Sequence, residues 1–344
     1  MRRYPGSLLA CIVWAGLLAG CDAGNTGPEN PYEADFEALW RTFDARYSYF
    51  AFKDIDWQAR YDATRPRLDQ VTTDDELLAV FQDLLAPLRD QHVYFRKPDG
   101  STVPTYTPPH RANWDRNVWL AFVQQQGWQQ IAPNLGYARI DSLPYIAIGA
   151  WNTSQFDMAD FDAMLELFRD SPGLILDVRM NGGGNDQLAL QVAGRFTSEA
   201  RVTEFVQFRD GPDHDDFTDL TPRTLAPRGP WTFDKPVALL AGRGVLSSNE
   251  SFIAAMREIP HITVLGDTTG ASSGNPALFE LSNGWEYAVP RWIAYTADRT
   301  VIEWNGIPPD IAVAAAEADF AQGRDPVLDF AVAWLADRLS RHEP

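Results

Sequence analysis

Cysteine is almost absent from this chain: two among 344 residues, Cys11 and Cys21, both near its start. That scarcity excludes a disulfide-stapled fold and a cysteine-built zinc site, and beyond residue 21 it leaves no thiol nucleophile. Basic residues are also few, with 29 Lys and Arg against 47 Asp and Glu and a formal net charge of -18. Such a field repels a phosphate backbone, and no local basic patch offsets it, so nucleic acid is not an expected partner. Histidine numbers only five, which narrows any search for a general base. No apolar run reaches the roughly 20 residues that a helix needs to cross a bilayer. What is present is 45% hydrophobic and 12% aromatic residues, the balance of a folded protein with a sizeable core. The length suits one large unit and a smaller one.

The first residues read as an export signal. Arg2 and Arg3 precede a mostly apolar stretch from Ser7 to Leu18, and Leu18-Ala19-Gly20-Cys21 follows. This resembles a bacterial lipobox, which implies cleavage before Cys21 and lipid on its thiol. Residues 1–20 are then a lipoprotein signal peptide, and 21–31 a polar tether containing Gly and Pro. Asp22 resembles the inner-membrane retention signal of enteric-type sorting. The expected location is the bacterial cell envelope, lipid-anchored, on the periplasmic or outer face, with Asp22 pointing to the inner membrane.

Further on, Phe36, Leu39, Trp40, Phe43 and Tyr47 recur at helical spacing. Thr73-Asp74-Asp75-Glu76 reads as a capping box that opens a second helix through Leu77, Val80, Phe81, Leu84, Leu85 and Leu88. Residues 32–96 are therefore expected to form an N-terminal helical domain. Residues 97–134, rich in Pro, Thr, Gln and Trp, show no clean period and read as an irregular or short-stranded connecting segment. Over 135–340, apolar runs at 137–140, 145–148, 174–178, 237–241 and 262–265 read as buried strands. They alternate with helical stretches at 161–168, 188–196 and 252–259, and Asp325-Pro326 opens a last helix. That alternation predicts an α/β domain.

Two strand-to-helix junctions can carry chemistry, because ligands of α/β sheets bind beyond the carboxyl ends of strands. Asp177-Val178-Arg179-Met180-Asn181-Gly182-Gly183-Gly184 brings main-chain NH groups close to a ligand or a developing oxyanion, or is simply a tight turn. Ser247-Ser248-Asn249-Glu250 fits a helix cap, and equally places a nucleophilic hydroxyl where helix NH groups stabilise a tetrahedral intermediate. A serine needs a base. His342 lies in the tail, His214 in an acidic loop, His110 after two prolines and His261 before a strand. His92 closes the second helix, where it can be a base or only a helix-end partner.

Together these segments resemble the tail-specific, or C-terminal-processing, serine peptidases and their relatives, the tricorn core and the interphotoreceptor retinoid-binding protein repeats. Leu88-Arg89-Asp90-Gln91-His92 resembles the family's Asp-x-His motif, and 176–184 its strand and oxyanion loop. Ser247-Ser248-Asn249-Glu250 resembles the Ser-x-x-Glu nucleophile motif, and Glu303-Trp304-Asn305-Gly306-Ile307-Pro308-Pro309-Asp310 the Glu-x-x-Gly-x-x-Pro-Asp motif. The resemblance implies a crotonase/ClpP-like core of ββα units behind a helical domain, and a serine endopeptidase acting on peptides or proteins without metal or organic cofactor. It implies Ser247 as nucleophile, His92 as general base, Glu303 as a remote orienting group, and NH groups of Gly183, Gly184 and Ser248 as the oxyanion hole. The loop 266–274 lacks the lysine of the serine-lysine branch, so the histidine branch fits better. Gln91 stands where tricorn members carry a relay serine, and the stretch between His92 and Gly136 is too short for a PDZ module. The competing expectation is a non-catalytic protein of the same fold that binds peptides or small apolar ligands. A crotonase-type acyl-thioester enzyme would leave Ser247 and His92 together unexplained.

Overall fold

A strand buried on both faces must be apolar at every position, and three segments meet that condition: 143–148, 174–177 and 237–241 are buried throughout. They form the middle of the central sheet in the computed structural model, which describes residues 31–341. The lipobox, Cys21, Asp22 and His342 lie outside the described residues.

The chain begins with helices α1 (Pro31–Arg46), α2 (Phe50–Lys53), α3 (Trp57–Thr64) and α4 (Asp74–Leu85). The capping box on α4 forms as expected: Thr73 accepts from the Glu76 NH while Glu76 accepts from the Thr73 NH. Strands β1 (Tyr94–Arg96) and β2 (Thr102–Pro104) lead to helix α5 (Arg116–Gln125). Then come β3 (Gln129–Ala132), β4 (Leu135–Ile140), β5 (Leu143–Ile148), α6 (Met158–Glu166), β6 (Leu174–Asp177) and α7 (Asp186–Ala193). The hairpin β7 (Arg201–Phe208) and β8 (Thr221–Leu225) precedes β9 (Val237–Ala241), α8 (Ser248–Arg257) and β10 (Ile262–Gly266). Strands β11 (Ala277–Glu280), β12 (Glu286–Val289), β13 (Trp292–Thr296) and β14 (Ile311–Ala312), and helices α9 (Glu317–Ala321) and α10 (Pro326–Ser340), complete it.

The central sheet runs β14-β10-β9-β6-β5-β4-β3; β5, β6, β9, β10 and β14 are parallel, and β3 and β4 antiparallel. Side chains alternate between faces with period two. Ile146, Leu176, Leu239 and Val264 pack with Phe161, Leu165, Val192, Phe252 and Met256 of α6, α7 and α8. Tyr145, Ile175, Leu240 and Leu265 pack with Val123 of α5 and with Leu328, Ala331 and Leu335 of α10. The mixed α/β class and the helical N-terminal region are thus as expected.

Two features differ from the sequence reading. Residues 97–134 are not irregular throughout, because Asp115 caps α5 by accepting from the NH groups of Asn117 and Val118. The α5 face that carries Phe122 and Val123 covers the sheet. The N-terminal helices also do not close a core on their own. Phe36, Phe43, Tyr47, Trp57 and Phe81 share one apolar cluster with Leu281, Tyr287, Val289 and Ile293 from the far end of the chain. Strand β1 carries this union, pairing with β12 in a four-stranded sheet ordered β11-β12-β1-β2.

Candidate active site

Three adjacent parallel strands, β6, β9 and β10, end on one edge of the central sheet, so the loops leaving them meet there. The β6 loop starts from a buried guanidinium. Arg179 bonds Asp177 Oδ2 and Asp325 Oδ2, each at 2.7 Å, which anchors the chain just before Asn181-Gly182-Gly183-Gly184.

The β9 loop delivers Ser247 to the first turn of α8. Its φ of 56° lies in the left-handed region, which costs a non-glycine residue about 1–3 kcal/mol and persists only where neighbours enforce it. The enforcing bonds are the Ser247 NH to the Ser272 carbonyl and the Glu250 NH to the Ser247 carbonyl, both 2.8 Å. The Ser247 hydroxyl caps nothing, so the simple helix-cap alternative does not describe this serine.

The last two side chains of the motif hold two different loops. Asn249 Nδ2 donates to the carbonyls of Val178 (3.0 Å) and Asn181 (2.8 Å), fastening α8 to the glycine loop. Glu250 accepts from Thr269 Oγ1 (2.5 Å) and the NH groups of Ala271 (3.0 Å) and Ser272 (2.9 Å), fastening α8 to the β10 loop. Burial pushes Glu250 up to about 8 while these donors pull the other way.

Gly183 touches the nucleophile motif. Its φ is 110°, and a Cβ built there would stand 2.8 Å from Ser247 Cβ and 2.9 Å from the Leu246 carbonyl, so no larger residue fits. The Gly183 NH is engaged by Asn181 Oδ1 at 2.8 Å. The NH groups of Gly184 and Ser248 have no acceptor among the described residues.

His92 does not close a helix. A short 3-10 turn ends at Leu88, Arg89 turns left-handed with φ 45°, and His92 sits on the turn that enters β1. Asp90 Oδ1 accepts its main-chain NH at 2.9 Å, and its ring Nδ1 lies 2.7 Å from Ser272 Oγ. Burial pushes the ring below its ordinary value; Asp90 opposes this and Lys53 adds to it. Ser247 and His92 line one cavity of about 440 Å³ together with Tyr94, Gly184, Ser248 and Trp292. No hydrogen bond joins the Ser247 hydroxyl and the imidazole among the described residues; such contacts often tighten only when substrate binds.

Glu303 lies behind His92, facing Lys53 rather than the ring. Lys53 Nζ, fully buried, has four acceptors within reach of its three N–H donors: Glu303 Oε1 (2.6 Å), Tyr47 Oη (2.8 Å), the Leu88 carbonyl (2.8 Å) and Asp90 Oδ2 (3.2 Å). Burial and the Asp90 charge push Glu303 up to about 8 against the pull of Lys53. Burial disfavours an ionised Asp90 too, but Lys53 and the bonded NH and hydroxyl hold it below the usual carboxylate range. Burial and Asp90 thus favour a proton on Glu303, while the Lys53 ammonium 2.6 Å away favours its ionised form. Gln91, in the relay position, spends its amide on the Gly270 carbonyl at 2.9 Å.

The chain matches peptidase family S41 over residues 142–313, half of its length, and the tricorn protease C1 domain over residues 28–86. The chain belongs to peptidase family S41. A crystal structure of a candidate peptidase from Parabacteroides merdae ATCC 43184 is 31% identical, with TM-score 0.78, and the match covers 89% of this chain and 96% of that one. The tricorn protease shares the fold at 16% identity and TM-score 0.60, over 90% of this chain and 37% of that one. The carboxyl-terminal-processing protease of Synechocystis sp. is 27% identical over 54% of this chain and 42% of its own length. This S41 chain thus matches less than half the length of that curated relative.

The structure brings Ser247, His92, Gly183, Gly184 and Ser248 into one place and sets Glu303 one layer back. The sequence reading gave no part to Lys53 or Ser272. Lys53 directly follows the aromatic run from Tyr49 to Phe52, where a cation needs a buried partner. Ser272 lies in the loop already marked by its missing lysine.

Proposed function

We propose that this S41 chain is a serine endopeptidase of the bacterial cell envelope, acting on peptides or proteins and held at a membrane by lipid on Cys21. The observation that carries the reading is Ser247 itself: a left-handed serine at the start of α8, against Gly183, in one cavity with His92.

In this reading Ser247 Oγ attacks the scissile carbonyl carbon while its proton passes to His92 Nε2. The carbonyl oxygen takes the negative charge and accepts from the open NH groups of Gly184 and Ser248, with Gly183 shaping the loop. His92 returns the proton to the departing amine. Water then repeats the sequence on the acyl-enzyme and frees Ser247. Glu303 acts at one remove: with Lys53 it sets the charge around Asp90, which holds the backbone of His92.

Because His92 is pushed below its ordinary value of about 6.5, kcat/KM should stay on its plateau into mildly acidic solution and fall on a limb below that value. Peptide turnover by the wild type and by His92→Ala across pH 4.5–8.5 checks this. Loss of turnover in the variant and a limb below about 6.5 support the reading; equal turnover in the folded variant would remove His92 as the base. A cavity that binds peptides without cleaving them would establish the binding-protein alternative.

A further inference from the structure

We propose that Ser272 is the positioning residue of His92: its hydroxyl, delivered by the loop after β10, fixes the imidazole in the tautomer that leaves Nε2 free to take the Ser247 proton. This rests on the serine-peptidase reading and adds to it a residue from outside the four motifs.

The other groups near the ring are already committed. Gln91 bonds the Gly270 carbonyl, Asp90 Oδ1 holds the main-chain NH of His92 rather than its ring, and Glu303 Oε1 bonds Lys53. Ser272 Oγ alone among the described residues is bonded to the ring, 2.7 Å from Nδ1. Ser272 is 1% exposed and held on both sides, its NH by Glu250 Oε2 at 2.9 Å and its carbonyl by the Ser247 NH at 2.8 Å. The next carbonyl, that of Ser273, accepts from Tyr49 Oη at 2.5 Å. One residue thus bonds the backbone of the nucleophile and the ring of the base, so the distance between them is set through it.

The hydrogen-bond sense matters. A neutral imidazole has one donor and one acceptor nitrogen. If Ser272 accepts from Nδ1–H, Nε2 carries the lone pair and can receive the Ser247 proton; the imidazolium then keeps its Nδ1–H bond to Ser272. If Ser272 donated to Nδ1 instead, Nε2 would carry the hydrogen and could not act as a base. The 2.7 Å contact admits both senses, and the reactive tautomer is the one in which Ser272 accepts from Nδ1–H.

Ser272→Ala removes the hydroxyl and keeps both backbone anchors, so folding should survive. Two measurements on the full-length protein in detergent decide. ¹⁵N NMR of the histidine rings, with His92 assigned by its loss in His92→Gln, should show Nδ1 protonated in the wild type and a shifted or mixed tautomer in Ser272→Ala. Steady-state peptide hydrolysis should show kcat lowered about tenfold to a hundredfold with KM nearly unchanged, and largely restored in Ser272→Thr. Unchanged ring signals with unchanged kcat in folded Ser272→Ala would overturn the proposal. If the wild type cleaves nothing, the peptidase reading fails, and the NMR arm still decides the pairing: a shift upholds Ser272 as the ring's partner, and no shift overturns it.

Discussion

A Lys53→Met variant keeps most of the volume of a fully buried side chain and deletes its charge. The lost ammonium has two carboxylates, a tyrosine hydroxyl and a main-chain carbonyl within reach at 2.6–3.2 Å. Asp90, which Lys53 holds below the usual carboxylate range, is then left buried without its cation. Removing one partner of a buried pair costs about 3–5 kcal/mol. At about 2–4 °C per kcal/mol, Tm should fall by about 6–20 °C. The sign of the pH dependence follows from Asp90, which Lys53 holds below its ordinary range. The stability it contributes is present above about pH 4 and is lost as pH falls through its folded value. The gap between variant and wild type should therefore narrow as pH falls and Asp90 in the variant, buried without its cation, takes up a proton. Lys53 also helps keep His92 deprotonated, so the acidic limb of kcat/KM should move to higher pH. Scanning calorimetry at neutral and acid pH reads the stability. A fall below about 2 °C at neutral pH, with no pH dependence, would refute the buried-cluster reasoning.

Glu303→Gln should behave in the opposite way, since glutamine imitates a protonated glutamate. A carboxyl with a raised folded value contributes stability that is fully present below about pH 4.3 and is lost as pH rises through about 8, so the variant should gain on the wild type across that interval. Denaturant unfolding at a series of pH values measures the difference, and a flat difference would show that Glu303 is ionised in the fold. Gly183→Ala would put a methyl group 2.8 Å from Ser247 Cβ on a backbone with φ 110°. The expected outcome is about 1–3 kcal/mol of lost stability and a kcat lowered at least about a hundredfold; wild-type turnover would mean that the glycine loop does not shape the oxyanion site.

What was legible in the sequence followed from local rules. The apolar runs of β5, β6 and β9 and the capping box of α4 need no knowledge of partners, and each formed where expected. Strands β11 to β13 were not read, because β11 alternates half-buried and exposed residues and these strands matter only as the lid on the N-terminal helices. Helix α5 was hidden by a face built from Trp, Phe and Val among glutamines. At the site, the four motifs located Ser247, His92, Glu303 and the glycine loop, whereas the pairings that organise them span long stretches of chain. Ser272 reaches His92 across 180 residues and Lys53 reaches Glu303 across 250, distances over which no periodicity carries information. Glu250 looked like half of a capping box because local spacing cannot distinguish a carboxylate that turns back to its own helix end from one that holds a neighbouring loop.

An activated Ser247 is read out covalently: the full-length protein is incubated with a serine-directed fluorophosphonate probe and the adduct located by peptide mass spectrometry. A single adduct on Ser247, absent in Ser247→Ala and slowed in His92→Ala, is the expected result. An adduct elsewhere, or none on a folded wild type that hydrolyses peptides, would contradict the assignment of Ser247 as the nucleophile.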